Sequence, residues 1–281
     1  MKADHPITTL CDCLSVPTSS YYQWRHRIEK PGRRALENRQ LAQTIGEIHR
    51  ESRQTYGSPR VARELKKLGR CHGRNRVARL MKESGLCGRK KRRYRVKTTD
   101  SNHDLPIAPN RLAEAAKPTA PNKIWVTDIT YIATGEGTLY LAGVLDLYSR
   151  KIVGWAMSDR IDTQLVLDAI NMAYRQRAQA SKVLVHSDRG VQYASAAYRA
   201  NLKAIGATPS MSRKGNCYDN AAMESFWSTL KLELVYRTSF TNRRAAKSAL
   251  FDYIEVFYNR SRSHTSIGYL SPSTFESKLT Q

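Results

Sequence analysis

Three acidic residues lie where regular secondary structure would present their carboxylates to a common site. Asp188 follows a short aliphatic run, residues 183–185, and is expected at the C-terminal end of a β-strand. Asp128 lies inside a second run, residues 124–132, in which alternate side chains share one face of a predicted strand. Glu224 falls in the first turns of a predicted amphipathic helix that contains no Pro or Gly. Converging carboxylates of this kind are oxygen ligands for hard divalent cations.

Each of these acidic residues also has an ordinary structural explanation. An Asp at the end of a strand is commonly a turn former, and a Glu in an early helical turn commonly complements the helix dipole. Asp146, at the end of a further predicted strand over residues 138–147, competes for the same cleft. His186, two positions before Asp188, is expected to be a satisfied strand-end side chain rather than a base.

The spacing of the three residues and the segments around them are specific. Asp128 and Asp188 lie 60 positions apart, and 35 residues separate Asp188 from Glu224. The flanking segments span residues 125–276 and are WVTDITYI, VLDLYSRKIVGWAMS, HSDRGVQYAS, SRKGNCYDNAAMESFW and HTSIGYLSPSTFE. They resemble the second-reading-frame product of insertion-sequence transposases of the IS-three family. More broadly, the three residues resemble the Asp, Asp, Glu triad of transposases and retroviral integrases with an RNase H-like core.

The resemblance implies that Asp128, Asp188 and Glu224 are catalytic and hold two Mg²⁺ ions, for which Mn²⁺ can substitute. Two such ions about 4 Å apart activate an attacking oxygen and stabilise a leaving oxygen at one phosphorus. Without metal, three clustered carboxylates would resist ionising together, so we expect a metal-dependent site. The family pattern assigns no metal to Asp146, which we interpret as closing a hairpin with Ser149 and Arg150.

Several polar residues near the triad are candidates for contacts with DNA or for orienting the catalytic groups. Lys231 follows Glu224 by nearly two helical turns and shares its helix face, and the family pattern implies that its ammonium binds a DNA phosphate. The loop over residues 212–219 carries Arg213 and Lys214, which either contact DNA or belong to a plain connection. Three more residues match the family's motifs: Gln192, Tyr193 and Asn220. They either orient the substrate or the helix that carries Glu224, or they pack in the core.

The charge of the chain favours a polyanionic partner. Lys and Arg number 47 against 24 Asp and Glu, which gives a formal net charge of +23. The net charge is +16 over residues 1–100 and +7 thereafter, so we predict that the front third binds double-stranded DNA and the remainder carries the chemistry. We expect no membrane partner, because no apolar run approaches the roughly 18 residues that span a bilayer and no signal peptide is present.

The cysteines indicate a reducing compartment. Five Cys, at positions 11, 13, 71, 87 and 217, form neither a disulfide framework nor zinc-binding pairs. We therefore expect a cytoplasmic protein, and the family resemblance implies that it is bacterial and associates with the nucleoid.

Residues 1–97 are predicted to be a basic helical DNA-binding region. Two short helices are expected around Pro17, followed by a helix over residues 36–53. Two further helices, over residues 59–69 and 75–84, are predicted to form a helix-turn-helix. DNA contacts are predicted for the outer face of the last helix and the basic run after it: Arg74, Arg76, Arg79, Lys82, Arg89, Lys90, Lys91, Arg92, Arg93 and Arg95. A solvated charged face is the structural alternative.

Residues 98–122 are predicted to be a linker, and residues 123–281 an RNase H-like integrase catalytic core with C-terminal helices. The linker is polar with four Pro and has room for a short helix over residues 112–116. The predicted fold class is α/β, a mixed five-stranded sheet with flanking helices preceded by a smaller all-α helix-turn-helix domain. The elements expected in the core are strands over residues 124–132, 138–147, 150–158, 182–186 and 208–210, and helices over residues 163–178, 194–205, 221–233 and 242–259, with a last short helix from residue 271.

These features predict a DDE transposase, a polynucleotidyl transferase that cleaves and joins the ends of an insertion sequence. Water is expected as the first nucleophile and a DNA 3′-hydroxyl as the second. A nuclease that cuts without joining and a non-catalytic DNA-binding regulator remain alternatives. The expected partners are element-end and target DNA, further copies of the chain on that DNA, and the first-frame product as a fusion, because this chain lacks long coiled-coil heptads.

Overall fold

The computed structural model describes residues 5–89, 105–178, 180, 182–213 and 220–278. Contacts divide the chain into two compact units, Met1–Gly88 and Arg89–Gln281. The first unit is helical, and the second contains a five-stranded sheet with flanking helices. This confirms the predicted fold class. The predicted domain boundaries at residues 97 and 122 stay a prediction, since residues 90–104 lie outside the described ranges.

The first unit is built from five helices. Apolar residues at helical spacing on the last three of them form its core, with Ile45, Val61, Leu65 and Val77 fully buried. The fifth helix ends at Glu83 and is followed by Gly85, whose φ of +68° favours glycine. The helices are α1 (Ile7–Cys13), α2 (Thr18–Glu29), α3 (Arg33–Glu51), α4 (Ser58–Lys67) and α5 (Arg74–Glu83).

The second unit has the strand order β3-β2-β1-β4-β5. The first three strands form an antiparallel meander, whereas β4 pairs parallel to β1 and β5 pairs parallel to β4. The strands are β1 (Ile124–Thr134), β2 (Gly137–Asp146), β3 (Ile152–Ser158), β4 (Leu184–Ser187) and β5 (Thr208–Met211). This is the mixed sheet predicted for an RNase H-like core.

Helices cover both faces of the sheet. Alternate residues of β1 and β2 pack against α6 and α8 on one face and against α9 and α10 on the other. The α-helices of this unit are α6 (Thr163–Gln176), α7 (Val191–Ala194), α8 (Ala196–Ala204), α9 (Ala221–Glu233), α10 (Arg243–Phe251) and α11 (Pro272–Ser277). A π-helix (Asp252–Tyr258) follows α10, and short 3₁₀ turns form at Val235–Arg237 and Thr265–Ile267.

Two predicted helices are divided in the structure. The helix predicted over residues 194–205 becomes α7 and α8, because Ser195 is extended and its hydroxyl caps α8 by accepting a hydrogen bond from the Tyr198 N–H. The helix predicted over residues 242–259 is α-helical only to Phe251 and then widens into the π-helix. Among the helices of the described ranges, none is both long and apolar enough to span a bilayer.

The described part of the predicted linker packs on the sheet unit. The backbone N–H groups of Arg111 and Leu112 donate to the Ser210 hydroxyl at 3.0 and 3.3 Å. The N–H of Asn122 donates to the Asp146 carboxylate at 2.7 Å. Residues 112–114 form a turn rather than the expected short helix. Residues 105–122 are therefore fixed to the core by their backbone.

Gly154→Ala is expected to lower the free energy of unfolding by about 1–3 kcal/mol through overpacking. The added Cβ on β3 would overlap the carbonyl oxygen of Ala169 and lie 2.6 Å from the backbone nitrogen of Ala173. These atoms belong to the α6 backbone and cannot rotate away. Urea unfolding followed by circular dichroism measures the effect.

Gly46→Ala is the matched control. Gly46 lies inside α3, and a Cβ there would meet no heavy atom within 4 Å, so a gain of about 0.5–1 kcal/mol is expected from the better helix former. Equal unfolding midpoints for the two variants would contradict close packing of α6 on β3.

Candidate active site

The two aspartates lie where β1 extends beyond the end of β4. The parallel pairing of β1 with β4 ends at Val126 and His186, so Asp128 lies just past the paired region. Asp188 directly follows Ser187, the last residue of β4. Parallel neighbouring strands that end at one edge bring their following residues together. Asp128 and Asp188 accordingly line the same cleft.

Helix α9 packs over Asp128 and donates a hydrogen bond to it. The indole Nε1–H of Trp227 donates to Asp128 Oδ2 at 3.1 Å, and the Ile129 N–H donates to Oδ1 at 2.9 Å. The side-chain amide of Asn220, at the start of α9, donates to the Thr127 carbonyl at 3.4 Å. These contacts tie the helix that carries Glu224 to the strand that carries Asp128.

Gly143 makes this close approach of α9 possible. It is the cross-strand partner of Asp128 on β2. A Cβ at this position would lie 2.8 Å from Met223 Cε and 2.9 Å from Trp227 Cη2, closer than van der Waals contact allows. A side chain here would displace the two residues that seat α9 on the sheet.

The pKa of Asp128 indicates that negative charge at the site is not fully compensated. The pKa of Asp128 is raised from 3.8 to about 8, first by burial, then by the charge of Asp188 and, to a smaller extent, that of Glu224. The hydrogen bonds from Ile129 and Trp227 oppose this rise. Both Asp188 and Glu224 therefore lie close enough to act on Asp128.

The carboxylates are near one another without forming a finished metal site. Within the described residues, no three side chains of His, Cys, Asp or Glu lie close enough together to hold an ion. Glu224 is exposed in the first turn of α9, directly after residues 214–219, which lie outside the described ranges. The described geometry supplies the donors and the charge for a divalent cation.

Lys231 lies on the same side of α9 as Glu224 and faces β1. Its ammonium nitrogen is 4.7 Å from the centre of the Tyr131 ring, a cation–π distance. Burial lowers the pKa of Lys231, and the negative charge of Asp128 opposes that shift. A cation is thus held close to the carboxylates.

The cleft beside the two aspartates has a volume of about 490 Å³. Its lining contains both carboxylates together with aromatic and aliphatic side chains. Tyr193 is anchored within it, since its hydroxyl lies 3.2 Å from Thr127 Oγ1. The remaining lining residues are Ile129, Thr130, Tyr131, Thr138, Tyr140, Ile161, Gly190, Val191 and Gln192.

Two residues near the site have structural roles, as predicted. Asp146 is fully buried and accepts hydrogen bonds from the N–H groups of Tyr148 and Ser149 at 3.0 and 3.1 Å, which confirms that it closes a hairpin. Burial raises the pKa of Asp146. His186 is buried, and its Nδ1 lies 2.9 Å from the Ser210 hydroxyl.

The predicted DNA-contacting residues of the first unit differ in their surroundings. Arg76 is half-buried and donates two hydrogen bonds to Asn38 Oδ1, at 3.0 and 2.7 Å. The exposed residues are Arg74, Arg79, Lys82 and Arg89, of which Arg79 pairs with Glu83 at 3.1 Å. Lys90, Lys91, Arg92, Arg93, Arg95 and Lys214 lie outside the described residues, and Arg213 is exposed at their edge.

Trp227 and Gly143 were missed by sequence reasoning. Trp227 fits the apolar periodicity of α9, so it was counted only as a core residue. A glycine inside an otherwise aliphatic strand signals a close approach by another element, and Gly143 could have been found by that signal.

Known protein families match most of the chain. An integrase core domain family matches residues 118–217, a second integrase core domain family matches residues 205–272, and an HTH-like domain family matches residues 35–94. The insertion element IS600 uncharacterized 31 kDa protein of Shigella sonnei is 46% identical over 272 residues, covering 97% of this chain and 99% of that protein. Transposase InsF for insertion sequence IS3A of Escherichia coli (strain K12) is 39% identical over 277 residues, covering 99% and 96%.

The chain belongs to the IS-three family of insertion-sequence transposases. A transposase with helix-turn-helix-like and integrase core domains binds DNA and functions in transposition and DNA integration. Among solved structures, the simian T-cell lymphotropic virus intasome in complex with PP2A regulatory subunit B56 gamma is similar. The TM-score is 0.49 at 15% identity, over 83% of this chain and 74% of that one.

Asp128→Asn is expected to stabilise the metal-free transposase in a pH-dependent way. The pKa of Asp128 is raised from 3.8 to about 8 in the folded protein. Below pH 3.8 the carboxyl group is protonated in both the folded and the unfolded protein, and it does not destabilise the fold. As the pH rises from 3.8 through 8, the unfolded protein ionises first, so the wild type loses stability. Asn carries no charge to bury, so the advantage of the variant grows from about pH 4 to about pH 8 and then levels off. One pKa unit corresponds to about 1.4 kcal/mol, and partial exposure keeps the expected gain on the order of 1–3 kcal/mol.

Thermal unfolding in the presence of a chelator between pH 5 and 9 tests this dependence. Asp159→Asn removes an exposed carboxylate and is the control, with no pH-dependent difference expected. An advantage of Asp128→Asn that stayed constant from pH 5 to 8 would contradict the raised pKa.

Proposed function

We propose that this transposase cleaves and joins the ends of its insertion sequence with Asp128, Asp188 and Glu224 as catalytic, metal-binding carboxylates. The observation that carries the proposal is the raised pKa of Asp128, to which the nearby charges of Asp188 and Glu224 contribute after burial. Such an arrangement is costly unless a cation compensates the charge.

The residues fit divalent cations by their donor chemistry. Carboxylate oxygens are the ligands that Mg²⁺ and Mn²⁺ prefer, and the three side chains would hold two ions. When bound, the ions activate the attacking oxygen and stabilise the leaving oxygen at the phosphorus.

The chain's own residues position these groups and the DNA. Trp227 holds one oxygen of Asp128 and leaves that carboxylate in a fixed orientation. Lys231, held over Tyr131, binds a phosphate of the strand being cut. Arg213 and Lys214 bind further DNA phosphates. The attacking groups are water in the first step and the DNA 3′-hydroxyl in the second, so no covalent bond to the protein forms.

The helical unit contributes recognition of the element ends. Arg74, Arg79 and Lys82 are exposed on α5 and provide a cationic surface. The basic sequence that begins at Arg89 adds positive charge for binding the same DNA. Arg76 supports this surface through its hydrogen bonds to Asn38. Joining two element ends to one target requires further copies of the chain on the DNA, and the first-frame product is a candidate fusion partner. These steps take place at the nucleoid in the bacterial cytoplasm.

A strand-transfer assay with the element's own ends and Mg²⁺ or Mn²⁺ tests the catalytic assignment. Asp188→Asn, Asp128→Asn and Glu224→Gln are each expected to reduce nicking and joining by at least about 100-fold, the scale of loss when one active-site electrostatic group is removed. DNA binding on a gel is expected to persist, because the substitutions leave the helix-turn-helix unchanged.

Asp159→Asn, which neutralises an exposed carboxylate after β3, is the control and is expected to keep wild-type activity. Full activity of any triad variant would remove that residue from the mechanism. Nicking without joining by the wild type would favour the nuclease, and DNA binding with neither reaction would favour the regulator.

Removal of the α5 cations is expected to weaken DNA binding in a salt-dependent way. The logarithm of the DNA-binding constant falls linearly with the logarithm of the salt concentration. For Arg74→Ala and Lys82→Ala, each lost phosphate contact is expected to make the slope of this line shallower by about 0.9. Arg33→Ala, at the 94% exposed start of α3, is the matched control. Fluorescence anisotropy at several salt concentrations measures these slopes, and equal reductions for all three variants would contradict a contact surface on α5.

A further inference from the structure

The C-terminal end of α9 is held by a buried ion pair that the catalytic assignment does not use. Glu233 lies on the last turn of α9, and Arg262 follows the π-helix. Arg262 Nε donates to Glu233 Oε2 at 2.7 Å, and Nη2 donates to Oε1 at 2.7 Å. Each side chain is only 5% exposed. The pair is bidentate, which fixes both the distance and the plane of the two groups.

Aromatic residues of the π-helix surround this pair. The Tyr253 hydroxyl donates to Glu233 Oε2 at 2.8 Å, and the Tyr258 ring centre lies 5.9 Å from the Arg262 guanidinium carbon. The π-helix explains this arrangement. Residues five apart are separated by about 140° in an α-helix, whereas an i→i+5 turn brings them to one side. The rings of Tyr253 and Tyr258 have centroids 6.3 Å apart.

A buried ion pair contributes little to stability compared with apolar side chains of the same size, because both charges lose their hydration. What a bidentate pair does supply is a defined geometry. A shift of one residue along a helix is a translation of about 1.5 Å and a rotation of about 100°. Neither is compatible with two hydrogen bonds of 2.7 Å.

Two hydrogen bonds nearer the start of α9 are longer than those of the ion pair. Trp227 reaches Asp128 at 3.1 Å, and Asn220 reaches the Thr127 carbonyl at 3.4 Å. The hydrogen bonds of Glu233, at 2.7–2.8 Å, are shorter than both. The end of α9 farthest from Glu224 is thus held by three short polar contacts.

We propose that Arg262 is a positioning residue for Glu224, and that it acts through Glu233 to fix the rotation and axial position of α9. The carboxylate of Glu224 thereby stays directed toward Asp128 and Asp188. The inference rests on the proposed catalytic role of Glu224. The residues from 252 to 264 are, on this view, part of the active-site architecture although none of them contacts the cleft.

The test replaces the ion pair by apolar side chains of similar length in the double variant Glu233→Met/Arg262→Met. Its unfolding temperature is expected to equal or exceed that of the wild type, and its DNA binding on a gel to be unchanged. Cleavage is expected to fall about 10- to 100-fold, since a displacement near 1 Å of a catalytic group has effects of that size. Amide hydrogen exchange over residues 221–233 in metal-free protein is expected to accelerate, while exchange in β1 and β2 stays slow.

The matched control is Arg177→Met/Glu276→Met. This pair is also mostly buried, with side chains 13% and 14% exposed, and it joins the end of α6 to α11 away from α9. Its removal is expected to leave cleavage and the hydrogen exchange of α9 unchanged. Comparable loss of cleavage in both double variants would overturn the specific role of Arg262.

A stable Glu233→Met/Arg262→Met variant that cleaves at the wild-type rate would also overturn the inference. If that variant does not fold, Arg262→Lys supplies the test, because it keeps the charge and loses the bidentate geometry. Reduced cleavage at an unchanged unfolding temperature supports positioning, and a parallel loss of both refutes it. Glu224→Gln separates the two ideas: if it is fully active, the proposed function fails, and if it is inactive while the double variant is active, only the inference fails.

Discussion

The seating of α9 on β1 is the contact on which the rest of the site depends. The strand extends past its parallel neighbour β4, so Asp128 has no strand beside it on that edge. Helix α9 compensates by donating the Trp227 hydrogen bond to this carboxylate. This contact joins a long-range strand pairing to a helix nearly 100 residues later in the chain. The position of Glu224 relative to the two aspartates follows from where the helix lies.

The second constraint on the site is electrostatic, and it opposes the close packing of α9 on β1. Packing α9 over Asp128 buries a carboxylate close to two others, which disfavours the ionised form and raises the pKa of Asp128. Among the residues that the structure describes, no Arg contacts this carboxylate to relieve the charge. Lys231 lies nearby, held by the Tyr131 ring, and its own pKa is lowered by burial. An arrangement that tolerates such charge is typical of a site that binds an external cation.

Much of the fold could be predicted because it follows from local periodicity. The alternation around Asp128, the strand end before Asp188 and the helix start near Asn220 are all visible within about ten residues of sequence. The π-helix could not be predicted, because Ala246, Leu250 and Ile254 continue an ordinary helical pattern into it. The Trp227 hydrogen bond was hidden for a different reason: an indole satisfies an apolar period whether or not its N–H has a partner. Asn259 likewise looks like a helix-end residue, yet its side-chain amide pairs with both backbone groups of Ile152 on the edge strand β3.

Gly143 shows how far the influence of the site extends beyond reacting groups. It has no side chain, and it lies in the middle of β2 beneath α9. Nineteen of the twenty amino acids would place a carbon atom where Met223 and Trp227 already are. In a saturation mutagenesis library selected for transposition, position 143 would therefore be nearly as intolerant as a catalytic carboxylate. Intolerance of substitution at position 143 reflects how closely α9 packs on the sheet, and it indicates that selection maintains the absence of a side chain there.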